Sequence, residues 1–392
     1  MVIINRHRPF VGEKLGVLFM WLITIRQVRR FVVMRQYLSA FHKQQGKSYT
    51  CASNLRALYM ALSRLFITAS LSFGFLSMTA QDAHFTQFYA NPIYLNPAFA
   101  GVSQCPKVNV NYRNQYPTLG VYQTTSASYD QYVDALNGGV GVLMLQDEAA
   151  NGALSLTEVS LAYSYHLTVT REFSVLFGAQ GTFRQRLLDW GNLTFPDQID
   201  PFYGFVKPTN EIPPGSANVL NSQNFDLTFG VLGFTDNFYM GATFAHVTEP
   251  NEAFLSNNSL PMKFTGQLGA VIPIGRKRLY NDLDNLLIPH AVFQSQGGAM
   301  QLTSGISFNR GLITGGLAYR QAMGALSSNP DAIVAILGIA PNDMPWTFGY
   351  SYDYTISSLK NTLGGAHEIS MSYQFPCRAQ RSRSRGIKCP KF

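Results

Sequence analysis

Charge is scarce in this 392-residue chain: Asp, Glu, Lys and Arg together make 13%, about half of the roughly 25% found in ordinary globular proteins. Aromatics are plentiful, with 28 Phe and 20 Tyr. Disorder needs the opposite balance and is excluded. Four cysteines and seven scattered histidines rule out a disulfide-rich scaffold and show no metal-ligand spacing. Ser/His/Asp spacings, G-x-S-x-G, H-E-x-x-H and a P-loop are all missing, so no catalytic residue, cofactor or metal is expected. Gly138-Gly139-Val140-Gly141 mimics a phosphate loop but leads into a strand pattern, where it reads as wall. Asp82 with His84, and Asp147-Glu148, read as solvated loop residues.

The net charge of +8 is misleading. Residues 1–80 hold 11 basic residues against Glu13, and 376–392 hold six with no acid. The stretch between, 81–375, has 13 basic and 21 acidic residues, a net charge of −8. An acidic body provides no groove for a phosphate backbone, so nucleic acid is not expected as a partner.

Long apolar runs are missing too. Leu15–Ile25 falls short of the ~20 residues a membrane helix needs, and Arg26, Arg29 and Arg30 follow it. Residues 60–80, MALSRLFITASLSFGFLSMTA, have the short basic start, apolar stretch and small terminal residues of a secretory signal peptide. Cleavage after Ala80 would leave Gln81 first. On this reading 1–59 is an upstream extension, absent from the mature protein.

Beyond Gln81 no helical period persists, and alternation replaces it. Val159, Leu161, Tyr163 and Tyr165 are separated by Ser160, Ala162 and Ser164; Phe348, Tyr350, Tyr352 and Tyr354 by Gly349, Ser351 and Asp353. A period of two means strands with one greasy and one polar face. About fourteen such stretches occur: 107–115, 121–132, 137–147, 153–166, 171–185, 222–234, 237–247, 261–274, 286–295, 297–309, 311–321, 331–341, 345–355 and 364–375. Most reach the ~9–11 residues with which a tilted strand crosses a bilayer. The non-greasy face is mainly Gly, Ser, Ala, Thr and Asn. A soluble sandwich would show Lys and Glu there, whereas a membrane barrel lines its interior in this way and turns its greasy face to lipid. The expected fold is therefore all-β: a transmembrane antiparallel β-barrel of about 14 strands following the signal peptide, integral to the outer membrane and solvated by its lipid. Long connections such as 186–221 and 248–260 follow odd strands and short ones follow even strands, which places the long loops outside if both termini are periplasmic. The basic segment 275–285 is the exception, long on the expected periplasmic side.

Strand parity turns Arg113, Glu158, Arg184, Arg186, Asp226, Lys263, Arg320, Asp353 and Glu368 inward. Two readings stand: a mixed-sign network bracing the lumen, or the lining of a channel or of a docking point for a plug or partner. His246 shares the parity of the aromatic face, near the outer rim. Cys105 and Cys377 would both lie near the periplasmic rim if the first and last strands pair, and a disulfide between them is open to a rival, Cys377–Cys389. The basic tail, 376–392, has no apolar pattern and reads either as a solvated periplasmic extension or as a binder of acidic partners or headgroups.

The stretch QDAHFTQFYANPIYLNPAFAG at 81–101 resembles the N-terminal signature of the PorP/SprF family of type IX secretion membrane proteins, through Gln87, Asn91-Pro92, Asn96-Pro97-Ala98 and Gly101. YDYTISSLKNTLGGAHEISMSYQF and the terminal Cys389-Pro390-Lys391-Phe392 resemble its last hairpin and terminus. FPDQID at 195–200 and the stretch from Asp226 to Pro250 are also similar. The resemblance implies a non-enzymatic 14-stranded barrel of the secretion and gliding machinery. Its implied partners are periplasmic machinery components and a large cargo adhesin bearing a secretion-specific C-terminal domain. The two Asn-Pro units favour an extended, turn-rich segment over 81–106, either a plug or brace at the periplasmic mouth or a plain lead-in to the first strand. In the first outer loop, Phe202, Tyr203 and Phe205 are candidate cargo anchors. The alternative is a passive porin or small-hydrophobe channel, and a weaker one is a soluble carbohydrate-binding β-protein.

Overall fold

The computed structural model describes residues 82–118, 122–200, 202–213, 218–254, 259–274, 285–324, 328–341, 344–357 and 364–377. The expected leader, the upstream extension, most of the basic tail and Cys389 lie outside them.

Among the described residues seventeen strands occur in chain order. The first five are β1 (Lys107–Gln115), β2 (Tyr122–Val133), β3 (Gly138–Ala149), β4 (Leu154–Thr168) and β5 (Ser174–Asp189). Next come a two-stranded ribbon, β6 (Ile199–Asp200) and β7 (Gly204–Phe205), then β8 (Val219–Phe234) and β9 (Phe238–Ala245). β10 (Lys263–Ala270) continues past Val271 as β11 (Ile272–Ile274). The last six are β12 (Asn285–Gln296), β13 (Ala299–Arg310), β14 (Ile313–Met323), β15 (Ser328–Ile339), β16 (Trp346–Thr355) and β17 (Ala366–Gln374).

With β6 and β7 set apart and β10 and β11 read as one strand, fourteen antiparallel strands close into a barrel. Closure is made by β1 on β17, from Lys107 opposite Gln374 to Gln115 opposite Ala366. Lipid supplies no hydrogen-bond partner, so an open edge would leave each backbone group unpaired at a cost of several kcal/mol. The ribbon β6–β7 within the first long loop was not expected. β5 and β8 also run farther than the alternation suggested, because they stay paired up to Asp189 opposite Val219.

Side chains alternate as the pattern requires. Leu161 is 67% exposed between Val142 and Gly181 on the neighbouring strands, while Ser160 and Ser164 are buried. Aromatic rows mark both ends of the outer surface: Phe244, Phe264 and Phe293 at one, and Trp346, Tyr373 and Phe375 at the other. Such girdles flank the apolar band of outer-membrane barrels. The connections 190–218 and 246–262 leave from one end, termed here the long-loop end. At the opposite, short-turn end, 134–137, 169–173, 235–237 and 311–312 join neighbouring strands. At the long-loop end, Gly297 and Gly298 both adopt positive φ, as the tight turn between β12 and β13 demands.

Leu161→Arg would place a charge on the lipid face, at about 2–4 kcal/mol near the bilayer midplane. The expected outcome is loss of the heat-modifiable, trypsin-resistant form from outer-membrane fractions. Ser160→Ala, on the inner face, is expected to retain that form.

Candidate functional site: the occupied lumen

The lumen is filled by the chain's own N-terminal segment. None of residues 82–105 is exposed. The segment enters near the long-loop end, where Asp82 meets Lys263 and His246. It runs down to the short-turn end, where Cys105 is bonded to Cys377 with the Cα atoms 4.7 Å apart.

Its path follows from its two Asn-Pro units. Pro92 opens one helical turn, Pro92–Leu95, and Pro97 opens a 3₁₀ turn, Pro97–Phe99, each proline at a first position where no N–H is needed. The asparagines hold the turns to the wall. Asn91 Nδ2 donates to Ser126 Oγ at 2.8 Å. Asn96 Oδ1 accepts from Ala98 N–H at 2.9 Å, and its Nδ2 donates to the Val231 carbonyl at 3.1 Å. Glycines in the wall make room: a Cβ at Gly139 would strike Ala100, one at Gly178 Ala98, and one at Gly230 Asn96. At the base, Gly101 has φ +72°, a Cβ there would lie 2.5 Å from Gly139 Cα, and its N–H donates to Asp130 at 3.0 Å. Phe88, Leu95 and Phe99 pack with Leu176, Leu232 and Val292, and each such burial is worth about 1.5–3 kcal/mol. Two voids beside the segment measure about 20 and 40 Å³, room for isolated waters.

The nine inward charges form two ionic clusters in the long-loop half. In the first, Arg113 bridges Asp353 at 2.9 Å and Glu368 at 3.1 Å, and Arg320 bridges Asp353 at 2.7 Å and Asp331. The plug completes it. Thr86 and Gln87 N–H groups donate to the Glu368 carboxylate at 2.8 and 3.0 Å. Gln87 Nε2 donates to the Glu368 carbonyl and Ser351, and its Oε1 accepts from Ser370.

In the second, Arg184 meets Glu158 and Glu252 at 2.6 Å each, and Arg186 meets Glu252 at 3.1 Å. Here the plug supplies Asp82, 3.4 Å from Lys263 and 3.7 Å from Arg184. His246 lies between carboxylates, with Nε2 2.6 Å from Asp82 and Nδ1 2.7 Å from Asp226. Burial favours the neutral imidazole, but Asp82 and Asp226 outweigh it and raise the pKa to about 9.

Some expectations need correction. His246 does not face outward: positive φ there turns the chain as it leaves β9 and sends the ring into the lumen. Asp82 and His84 are not solvated loop residues. The Asp82 side chain, 9% exposed, sits in the second cluster, and His84 reaches Gln294 and Gln301 inside the barrel. Asp147 is half-buried and accepts from Thr124. Parity gives no signal for Glu252, which lies in a loop that folds inward, or for Asp331, which is skipped at a bulge of β15 between Ala332 opposite Arg320 and Pro330 opposite Gln321. Phe202, Tyr203 and Phe205 stand apart from the lumen, 93%, 84% and 67% exposed. Among the described residues no three His, Cys, Asp or Glu side chains gather as a metal site.

Fold and lumen together define an integral outer-membrane β-barrel whose interior is occupied by its own N-terminal segment. The family model for type IX secretion system membrane proteins of the PorP/SprF type matches residues 77–373, and the chain belongs to that family. No curated protein matches it. Similar solved structures include the Pseudomonas putida toluene transporter TodX, at 10% identity and TM-score 0.39 over 76% of this chain and 95% of that one. The Acinetobacter baumannii outer membrane protein Omp33 matches at 10% and 0.38, over 70% and 100%. A Pseudomonas aeruginosa FadL homologue matches at 13% and 0.39, over 72% and 93%.

Arg113→Ala would leave Asp353 and Glu368 buried without that cation, a loss of about 3–5 kcal/mol, read as a lower midpoint of heat-induced unfolding in detergent. The His246 latch has its own pH signature. Its folded pKa lies above the ordinary 6.5, so its contribution is complete below that value and disappears as pH rises through about 9. The unfolding midpoint should therefore fall across that window in the wild type, and more weakly in His246→Gln.

Proposed function

We propose that the protein is a non-enzymatic outer-membrane component of the type IX secretion and gliding machinery that helps export a large adhesin-like cargo or hold it at the cell surface. Family membership supports the machinery. The carrying observation for the mode of action is the occupied lumen: 82–105 fill it, so the barrel works through its two ends rather than through a solute path. The long loops face outward on this reading, since long outer loops and short periplasmic turns are the usual arrangement.

The outer contact is made by the first long loop. Asp197 holds its two halves together, accepting from Thr209 Oγ1 and Asn210 N–H at 2.9 Å each. Asp200 accepts from the Phe202 and Tyr203 N–H groups at 2.7 and 3.0 Å. Phe202, Tyr203 and Phe205 are thus presented on an ordered ribbon, and preorganised aromatics make efficient anchors. The short-turn end, with the disulfide-fixed plug base, meets the periplasmic components.

Gene deletion should remove a surface adhesin from impermeant-biotin-labelled cells, and the purified protein should conduct little in liposomes. A porin would show the reverse. Phe202→Ala, Tyr203→Ala and Phe205→Ala together should lower adhesin display while leaving the heat-modifiable barrel unchanged.

A further inference from the structure

The barrel wall is uneven in height. β5 and β8 stay paired up to Asp189 opposite Val219, but β9 pairs with β8 only from Phe229 to Phe234. Among the described residues, β8 from Val219 to Thr228 has a strand on one side and none on the other. The loop after β9 follows this edge briefly. Val247 N–H donates to the Leu227 carbonyl at 3.1 Å, and Thr248 Oγ1 to the Phe225 carbonyl at 3.3 Å. These bonds identify the odd-numbered residues as those whose backbone groups turn away from β5. Val219, Asn221 and Gln223 continue the row, and among the described residues no backbone bond reaches them from that side. All three are exposed.

An open strand edge is a template for another chain, and proteins usually blunt it with Pro, Lys or a bulge. VLNSQN at 219–224 carries no proline and no charge, and its pairing with β5 shows no bulge. The outward side chains Asn221 and Gln223 lie beyond the aromatic Phe225 and Phe183, which places the edge on the aqueous side of the girdle. It is also continuous with the loop that carries Phe202 and Tyr203. The loops on either side of it, 190–213 and 246–254, carry Asp197, Asp200, Glu211 and Glu249, besides the ion-paired Glu252, against the cation Lys207 among their described residues.

We propose that the β8 edge, Val219–Asn224, takes up an extended, basic segment of the exported polypeptide by strand addition. Backbone hydrogen bonds would supply the affinity and the acidic loops the charge preference. The assignment rests on the secretion reading above and adds the mode of contact and the chemistry of the partner.

The test is built on the backbone. Asn221 and Gln223 do not give their N–H groups to β5, so Asn221→Pro with Gln223→Pro removes donors from the free edge alone, where proline is tolerated. Asn221→Lys with Gln223→Lys blunts the edge by charge and leaves every backbone bond in place. Both pairs should keep the heat-modifiable, trypsin-resistant barrel, yet lower display of the surface adhesin about tenfold, the order expected for a few lost hydrogen bonds. Asn221→Ala with Gln223→Ala and Asn221→Asp with Gln223→Asp should display it normally. If the proline pair does not assemble, the lysine pair decides. Adhesin display unaffected by gene deletion would remove the secretion reading. Display lost on deletion but normal in an assembled lysine pair would overturn the edge proposal alone. Disulfide-linked homodimers of Gln223→Cys in intact outer membranes would assign the edge to a second copy of the chain and overturn it as well.

Discussion

A peptide group finds no hydrogen-bond partner in hydrocarbon, and the pairing of β1 with β17 is what allows this chain to cross a membrane on strands. Closure imposes alternation: one side chain in two meets lipid, and the other has to live inside a narrow cylinder. Here that inner set is polar and partly ionic. Arg113, Arg184 and Arg320 are nearly inaccessible to solvent, and ions so placed are tolerable only when their partners are complete. The wall supplies most of these partners. The plug supplies the remainder through the Asp82 carboxylate and the Thr86 and Gln87 amides.

Plug and wall are therefore one structure. Glu368 depends on two backbone N–H groups from a segment more than 280 residues earlier in sequence, and His246 has Asp82 as one of its two carboxylates. The base is fastened separately, by the Cys105–Cys377 bond and by Gly101 against Gly139. The ionic contacts concentrate in the long-loop half, the apolar ones lower down. The segment is thus held at both ends of the interior that it fills.

Alternation makes the strands legible in the sequence, because a two-residue period survives on most wall strands that meet lipid; β3 and β15 blur it, with Leu143, Leu145, Val334 and Ile336 buried on the inner face. It also sets the faces of the inward charges, since each sits on a regular strand. What alternation does not encode is partnership. Nothing local to Gln87 indicates that it will bond Glu368 and Ser370, and nothing near Arg184 points to Glu252 in a distant loop. His246 was misread because period-two reasoning ends where a positive φ breaks the strand. Strand height was also illegible. That β8 outlasts β9 depends on where pairing stops across the turn at 235–237, a property of two strands and not of one sequence stretch.

On the proposed reading this barrel acts through its rims, and the two rims differ in kind. The short-turn rim is tied down by a covalent bond and compact turns. At the long-loop rim, a tall wall of β4, β5 and β8 stands beside the shorter β9 and β10. Aromatic side chains are exposed at its loop tip, and backbone groups along its edge are unbonded among the described residues. Exposed apolar surface and an unpaired edge are both costly in an isolated protein, and folding of the barrel alone requires neither. Their occurrence together, on an ordered loop rim that carries excess negative charge, is what a surface shaped for an extended polypeptide would contain.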